Sequence, residues 1–255
     1  MSRRWIEKFE LSEGKWVFVP TQKSVVFGKK LKEQINSRWK PPKYFYHLRN
    51  GGHVAAIRPH LQSRYFTKLD LSRFFSSITA SRVTRLLKPL FGYDKARFYA
   101  NESTVHIPSL TSLVLPYGFI QSMILASMAL HYSSLGRYLK KLDTTENVLI
   151  SVYVDDILIS SKSKDILDLV NIKLQEKVIK SKLQLNNDKC CYSANQLEIF
   201  NIQIQHDSMQ ICDSRFDVFA YHYLVGNQFE RMGIYNYIHS VNPQQALRLL
   251  SGSPP

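Results

Sequence analysis

Apolar and polar positions along the chain follow two periods, and each period predicts a different kind of element. In residues 65–79 (YFTKLDLSRFFSSIT) apolar and polar side chains alternate, which predicts a strand that carries Asp70 at its end and passes into a helix. Residues 151–160 (SVYVDDILIS) are typical of a hairpin with two aspartates at its turn. Farther along, apolar residues at helical spacing predict a helix with one face on a sheet: Leu167, Val170, Leu174 and Val178.

Other segments carry weaker patterns of the same kinds. Residues 28–35 (GKKLKEQI) open a helical pattern, and Ser81 is expected to cap a basic helix that follows residue 81. Residues 115–130 indicate a tight turn with Pro and Gly that enters an apolar helix, whereas residues 92–112 are polar and predicted to be irregular. Residues 208–255 are predicted to be mostly helical. Two further strands or strand edges are expected at residues 183–190 and 197–204.

The order of these elements is strand, helix, helix, hairpin, helix, strand, without an internal repeat. A mixture that lacks strict alternation of strands and helices is typical of an α+β fold. The chain has 255 residues, of which 44% are hydrophobic and 21% charged. It is therefore long enough to bury a real core, as one domain or as one domain with subdomains.

The charge of the chain adds a partner to this picture. Lys and Arg number 34 and Asp and Glu number 20, which gives a net charge of +14. An excess of this size is typical of proteins that hold a phosphate backbone, although a basic surface that only aids solubility gives the same excess. A membrane surface is a weaker alternative, because the sequence has no long apolar span and no basic amphipathic anchor.

The cysteines and the N-terminal residues indicate a compartment. Three cysteines suit reduced thiols, and none has the spacing to Cys or His that a zinc site requires. The first residues, MSRRW, lack the apolar core of a signal peptide. We therefore expect a cytoplasmic protein.

The two adjacent aspartates of the hairpin are the strongest chemical feature. Burying an unpaired carboxylate costs several kcal/mol, and two side by side also repel each other. At a hairpin turn Asp155 and Asp156 would point into a cleft, and if Asp70 lies on the neighbouring strand, three carboxylates converge. Mg²⁺ or Mn²⁺ would offset their repulsion, and two such ions would suit nucleotidyl transfer. The alternative is ordinary turn chemistry, since Asp is common at hairpin turns.

Four segments in a fixed order carry a resemblance to a known family. YFTKLDLSRFFSSI, LPYGFIQS, YVDD and LQLNNDK resemble the successive palm motifs of reverse transcriptases, over roughly residues 15–205. Within that family the chain looks closest to bacterial retron-like and phage-defence-associated members, because of RNGGHVAA at 49–56 and IYNYIHSVNP at 234–243. The resemblance implies a right-hand polymerase, with fingers and palm in residues 1–205 and a short helical thumb-like region in residues 206–255.

The resemblance also implies roles for individual residues around the aspartates. Asp70 and Asp155 correspond to the metal-binding pair and Asp156 to the third carboxylate, while the carbonyl of Leu71 would bind a metal. Lys189 corresponds to a lysine that can give a proton to departing pyrophosphate. Nucleotide-binding positions are the backbone amides of Arg73 and Phe74, the side chain of Phe75, and Tyr117 with Gly118. Positions that grip the primer end are Ile199, Phe200 and Asn201.

Phe75 corresponds to the aromatic residue that excludes a ribose 2′ hydroxyl, and its alternative role is that of a core residue beside Phe74. Three features depart from the family. Tyr117 stands where Gln is usual, Met123 stands where Pro is usual, and the usual Leu-Gly pattern is missing at the primer-grip positions. About fifty residues remain for a thumb, which is short.

The expected function is RNA-directed DNA synthesis from deoxynucleoside triphosphates, dependent on two Mg²⁺ or Mn²⁺ ions, in bacterial anti-phage defence. The expected partners are an RNA template, such as a structured non-coding RNA, the DNA product, and further protein subunits or a second copy, without a membrane. Three alternatives stay open. They are a template-independent or protein-primed DNA polymerase, a catalytically silent nucleic-acid-binding subunit, and a nucleotide cyclase on a related palm, which YVDD fits poorly.

Overall fold

The computed structural model describes residues 3–108 and 110–251. Within these residues it contains ten α-helices and twelve β-strands. The helices are α1 (Gln22–Arg38), α2 (Gly52–Ile57), α3 (Ala80–Phe91), α4 (Tyr93–Ser103), α5 (Ser122–His131), α6 (Ser134–Leu142), α7 (Lys164–Lys180), α8 (Asp213–Val225), α9 (Gln228–Val241) and α10 (Pro243–Ser251). The strands are β1 (Trp5–Ser12), β2 (Lys15–Pro20), β3 (Tyr65–Ser72), β4 (Val105–His106), β5 (Leu113–Val114), β6 (Leu149–Tyr153), β7 (Asp156–Ser161), β8 (Gln184–Leu185), β9 (Cys191–Ala194), β10 (Gln196–Ile199), β11 (Ile202–Gln205) and β12 (Ser208–Ile211).

The central sheet has the order β6-β7-β3-β8, and β9 also pairs with β3. The β6–β7 hairpin lies antiparallel to β3, in a register that pairs Asp70 with Asp156 and Leu69 with Ile157. Since side chains alternate across a strand, the two aspartates share one face of the sheet and the two apolar residues share the other. Asp70 therefore lies on the strand next to the hairpin, which is the condition under which the three carboxylates were expected to converge.

Both faces of this sheet are covered, which explains why strand β7 is buried along almost its whole length. Leu69 and Ile157 belong to a large core that also contains buried residues of α1, α3, α5 and α7. Phe66 and Leu158, on the opposite face, belong to a second core with the β10–β12 sheet and helices α8–α10. The aspartates therefore lie on the face that packs against the C-terminal part of the chain.

Several predicted elements are confirmed. The hairpin is formed by β6 and β7, the apolar helix is α5, and the four residues at helical spacing in α7 are all buried. The C-terminal part is mostly helical, as expected, and residues 252–255 of that prediction lie outside the described residues. The helical pattern that we expected from residue 28 begins earlier, at Gln22, where Thr21 caps α1.

Two predictions are wrong. Residues 92–112 are not irregular throughout, because α4 occupies Tyr93–Ser103, although Ser109 of this segment lies outside the described residues. Ser81 does not cap α3, because it lies inside the helix, and the cap is Thr79, whose hydroxyl accepts a hydrogen bond from the Arg82 amide at 3.3 Å. A β-region backbone with a side-chain acceptor is what a helix N-cap requires, and Thr79 supplies both.

The N-terminal hairpin of β1 and β2 was not expected. Its turn contains Gly14 at φ 73°, and the Glu10 carboxylate accepts a hydrogen bond from the Gly14 amide at 2.7 Å. The hairpin joins the rest of the fold through the Phe18 amide, which donates to the Tyr117 carbonyl at 3.0 Å. None of the described helices is long and apolar enough to cross a membrane.

Candidate active site

The three predicted aspartates meet where β3 ends and β7 begins. Asp70 is the cross-strand partner of Asp156, and the Leu71 amide donates to the Asp155 carbonyl at 3.0 Å. On the other side of β3, the Asn186 amide donates to the Asp70 carbonyl at 2.9 Å. Backbone hydrogen bonds on both sides therefore fix the strand end that carries the carboxylates.

The turn between β6 and β7 has an unusual backbone that a histidine supports. Val154 has φ 62°, in the left-handed region that β-branched residues rarely adopt. Its amide lies 3.0 Å from Nδ1 of His47, which is also 3.3 Å from the Val152 carbonyl. Nε2 lies 2.7 Å from the Ser127 hydroxyl, and because that hydroxyl donates to the Met123 carbonyl, we assign the ring proton to Nε2 and the acceptor role to Nδ1. Burial lowers the pKa of His47 to about 4, which keeps this acceptor neutral. His47 thus stabilises the turn that presents Asp155.

The carboxylates carry charge that the described residues do not neutralise by direct contact. Burial raises the pKa of Asp155, and the nearby Asp70 adds to the effect. Burial, then Asp155 and Asp70, raise the pKa of Asp156 to about 6, while Lys68 and Lys189 oppose the rise. Within residues 3–108 and 110–251, the ion pairs within 4.0 Å involve none of the three aspartates.

Two cavities border these carboxylates. The smaller, called here the catalytic cavity, has a volume of about 220 Å³. Its lining includes six of the predicted site residues: Asp70, Leu71, Arg73, Tyr117, Asp155 and Lys189. The larger, called here the wide cavity, has a volume of about 650 Å³. Its lining also includes six of them: Phe75, Tyr117, Gly118, Asp155, Asp156 and Phe200.

Tyr117 lies at the junction of the two cavities. Its ring centroid is 4.7 Å from that of Phe75, and Nζ of Lys15 lies 4.9 Å from the Tyr117 ring on the side of the hairpin. Burial, with Asp155 and Asp70, raises the pKa of Tyr117 to about 12, so its hydroxyl stays protonated. The next residue, Gly118, has φ 102°, and a Cβ there would overlap the Phe18 carbonyl oxygen. Glycine is therefore required for β2 to approach this closely.

Phe75 has features of both of its predicted roles. The side chain is only 7% exposed and belongs to the large core, where its ring centroid lies 5.9 Å from that of Phe74. It nevertheless lines the wide cavity and contacts Tyr117 there. The Phe74 side chain, at 1% exposure, lines neither cavity.

The three predicted primer-grip residues separate in the structure. Phe200 lines the wide cavity, whereas Ile199 is buried in the second core and Asn201 is exposed outside both cavities. Phe200 and Asn201 have φ 58° and 59°, so the β10–β11 turn has a left-handed backbone at both residues. Positive φ at both residues is the usual backbone of a two-residue hairpin loop, which matches the twist of the strands that it joins.

Some residues beside the site were missed by the sequence analysis. Lys15 lines both cavities, and His53 joins the Phe200 ring, at a centroid distance of 5.4 Å, to the Tyr237 hydroxyl, 3.0 Å from Nε2. The sequence Glu13-Gly14 could have indicated a hairpin turn, with Lys15 at the start of its second strand. Nothing in the local sequence indicates the contact between His53 and Tyr237, which are 184 positions apart.

The donor atoms at this site suit a hard divalent cation. Among the described residues, no group of three or more His, Cys, Asp or Glu side chains is arranged so that it could hold a metal ion. The catalytic cavity nevertheless brings together Asp70, Leu71 and Asp155, which offer the carboxylate and carbonyl oxygens that Mg²⁺ prefers. The raised pKa values of Asp155 and Asp156 reflect negative charge that a cation would relieve.

Comparison with known proteins identifies relatives of this arrangement. The family described as "Reverse transcriptase (RNA-dependent DNA polymerase)" matches residues 15–211. A search of curated protein sequences found no significant match. Among solved structures, the foamy viral protease-reverse transcriptase in complex with double-stranded DNA is similar with a TM-score of 0.51 and 16% identity, over 96% of this chain and 38% of that chain.

Two telomerases are also similar in structure. Telomerase from Candida albicans, in complex with a fragment of telomeric RNA, has a TM-score of 0.53 and 11% identity, over 89% of this chain and 47% of that one. Telomerase from Candida tropicalis, also with telomeric RNA, has a TM-score of 0.54 and 13% identity, over 91% and 46%. The chain spans less than half the length of each of these three proteins. The likeness shows the α+β right-hand polymerase fold, as expected.

Proposed function

Because the chain belongs to the reverse transcriptase family, we propose that it is an RNA-directed DNA polymerase that adds deoxynucleotides to a primer 3′ end. One observation carries the proposal. Asp70 lies opposite Asp156 in the sheet, Asp155 lines the same cavity as Asp70, and no described cation forms an ion pair with any of the three. Carboxylates held together without partners suit a site that works with bound cations.

Asp70, Asp155 and the Leu71 carbonyl would hold two Mg²⁺ or Mn²⁺ ions, with Asp156 as the third carboxylate. Such ions, when bound, activate the primer hydroxyl and stabilise charge on the phosphate. The chain itself would align the reactants, since phosphoryl transfer depends mainly on positioning and electrostatics. Lys189, in the lining of the catalytic cavity, would give a proton to the departing pyrophosphate.

Phe75 and Tyr117 would select the nucleotide. Their rings contact each other at the edge of the wide cavity, so together they limit the space beside a bound sugar. The backbone amides of Arg73 and Phe74 would bind the triphosphate, and Gly118 lets the β2 strand close against this side. A large ring beside the 2′ position would reject ribonucleotides by volume.

Residues 1–205 would form fingers and palm, and residues 206–255 a short thumb-like region. Phe200 would contact the primer end, with Ile199 and Asn201 holding its turn. The net charge of +14 suits contact with phosphate backbones, and the proposed partners of that charge are a structured RNA template and further subunits. Mass measurement with and without nuclease treatment would detect such a partner.

We also propose that the chain is of the bacterial retron-like type, with a role in anti-phage defence. Two segments carry this narrower resemblance, residues 49–56 and 234–243. They contact each other through His53 and Tyr237, whose Nε2 and hydroxyl oxygen lie 3.0 Å apart. This contact joins the two segments that carry the narrower resemblance into one part of the structure. Expression of the chain in bacteria challenged with phage would test the proposed role in defence.

Primer extension tests the proposed activity. Asp155→Asn keeps the size of the side chain but removes its charge, so synthesis should fall by about 100-fold or more, as for lost transition-state stabilisation. Asp168→Asn, on the exposed face of α7, is the matched control and should retain wild-type activity. Full activity in Asp155→Asn would overturn the proposal. Equal synthesis with and without a template would favour the template-independent alternative.

A further inference from the structure

A third cavity, called here the side cavity, adjoins the catalytic cavity. Its volume is about 640 Å³, and it lies between the N-terminal hairpin, the segment after β3 and the end of α7. Four residues line both cavities: Gly14, Ser72, Arg73 and Ser76. The side cavity is therefore continuous with the site, yet none of the three aspartates lines it.

The charges of the two cavities differ. The described lining of the side cavity contains two cations, Arg73 and Lys182, and no acidic residue. The catalytic cavity also has three cations in its lining, Lys15, Arg73 and Lys189, but they stand beside three acidic residues, Glu13, Asp70 and Asp155. An anion therefore meets carboxylates in the catalytic cavity and none in the described lining of the side cavity, so the field favours its movement towards Lys182.

Both cations are available to a ligand. Among the described residues, neither Arg73 nor Lys182 forms an ion pair within 4.0 Å, and the side chains of Ser72 and Gln184 make no hydrogen bond. Two cations and two neutral donors therefore face a solvent-filled space. Phosphate oxygens accept hydrogen bonds from all of these groups.

The backbone holds the two cations at the cavity. Arg73 has φ 49° and Lys182 has φ 55°, both in the left-handed region that non-glycine residues rarely adopt. The guanidinium of Arg73 lies against the hairpin turn, where a Cβ on Gly14 would be 3.2 Å from the Arg73 Cζ atom. The Lys182 amide donates to the Ile179 carbonyl at 2.9 Å, just past the end of α7. Both positions are fixed by local structure.

We propose that the side cavity binds polyphosphate, and that its ligand during synthesis is the pyrophosphate released from each nucleotide. The assignment of pyrophosphate as the ligand during synthesis rests on the proposed function. In that step the primer 3′ oxygen bonds to the α-phosphorus while the bond from that phosphorus to the α–β bridging oxygen breaks. The electron pair stays on pyrophosphate, and the hydroxyl proton passes to water. Arg73 and Lys182 then draw the product away from the carboxylates.

Direct binding of inorganic pyrophosphate to the full chain, measured by calorimetry without metal or nucleic acid, tests the site. Lys182→Gln should raise the dissociation constant for pyrophosphate about tenfold, because it removes one charge-assisted contact. Lys182→Arg keeps the charge and should bind pyrophosphate like wild type. Lys173→Gln, on the exposed face of α7, is the matched control and should change nothing. Equal affinities for Lys182→Gln and Lys173→Gln would overturn the site.

Inhibition of primer extension distinguishes a leaving product from an entering substrate. If the ligand is pyrophosphate, Lys182→Gln should raise its inhibition constant about tenfold and leave the KM for deoxynucleotides unchanged. An equal rise in that KM would assign the cavity to the incoming triphosphate and overturn the product assignment. If the chain makes no DNA, the proposed function and the product assignment fail together, while the calorimetry alone decides whether polyphosphate binds.

Discussion

A fully buried histidine and the half-buried aspartates lie at opposite ends of the β6–β7 hairpin, and their surroundings differ. At one end His60 is fully buried between two hydroxyls, with Nδ1 2.7 Å from the Ser160 oxygen and Nε2 2.8 Å from the Ser151 oxygen. Ser151 in turn donates to the Ala56 carbonyl at 2.7 Å. At the other end the aspartates of the turn have no ion-pair partner among the described residues.

The comparison indicates that His60 has a structural role, whereas the aspartates require a partner from outside the chain. A buried group whose hydrogen bonds are all satisfied within the chain stabilises one packing arrangement. Carboxylates whose pKa values are raised by burial and by each other destabilise the folded chain when ionised. Substitutions at the two ends should therefore have opposite effects on stability.

The largest expected effect is on the satisfied end. His60→Ala removes a ring from a fully buried position and takes one hydrogen bond from each of the Ser151 and Ser160 hydroxyls, which keep those to Ala56 and Ser63. We expect a loss of about 3–5 kcal/mol in the free energy of unfolding, from the cavity and the two lost hydrogen bonds together. Chemical denaturation measures it, with the exposed His222→Ala as control. If His60→Ala lowers the free energy of unfolding no more than His222→Ala does, the two ends of the hairpin do not differ as described.

A smaller effect is expected beside the aspartates, where Phe75 faces the wide cavity. Phe75→Val should let ribonucleotides compete, so discrimination against them should fall about tenfold, or about 1.4 kcal/mol. The comparison variant is Phe74→Val, which removes a ring that lines neither cavity and should cost stability without changing discrimination. Equal discrimination in the Phe75 variant and wild type would make Phe75 a core residue only.

The smallest net effect is on the pH dependence of stability between pH 4 and 6, where His60 and Asp156 act in opposite directions. Burial lowers the pKa of His60 from 6.5 to about 3. Between these values the folded chain binds fewer protons than the unfolded chain, so the free energy of unfolding falls as the pH falls, by at most about 1.4 kcal/mol per pH unit. Asp156 acts oppositely between 3.8 and about 6, because its pKa is raised by burial and by Asp155.

Chemical denaturation at several pH values from 4 to 6 would separate the two contributions. In wild type the two contributions largely cancel over this range. His60→Gln, which cannot titrate, leaves the Asp156 contribution, so stability should rise towards low pH, whereas Asp156→Asn leaves that of His60, so stability should fall more steeply towards low pH. Curves that stay parallel to wild type would show that neither residue titrates differently in the folded and unfolded chains.

The palm was predictable because its evidence is local. The alternation around Asp70, the apolar run on both sides of Asp155 and the helical spacing in α7 each follow from burial of neighbouring residues. The sequence predicted the hairpin but left the position of Asp70 beside it as a condition, and the register of Asp70 opposite Asp156 is known from the structure. The aspartates were found because they break an otherwise apolar pattern.

The elements that were missed bury little apolar surface. The buried residues of α4 are Ala96, Ala100 and Ser103, whose small side chains give no clear apolar stripe. Strand β1 is almost entirely exposed, so it shows no alternation of buried and exposed positions. The Glu13-Gly14 turn was the local sign of the hairpin that carries Lys15, but the approach of Lys15 to the aspartates depends on contacts between distant segments, as does the side cavity.

The most direct test of the account is the free energy of unfolding measured against Mg²⁺ concentration, in wild type and in Asp155→Asn. If the carboxylates are held together to bind cations, Mg²⁺ should stabilise the wild type, by about 2.7 kcal/mol at 100 times its dissociation constant. Without Mg²⁺, Asp155→Asn should be at least as stable as wild type, since repulsion is relieved, and Mg²⁺ should then stabilise it much less. Equal stabilisation of both chains by Mg²⁺, or a large loss of stability in metal-free Asp155→Asn, would contradict the account.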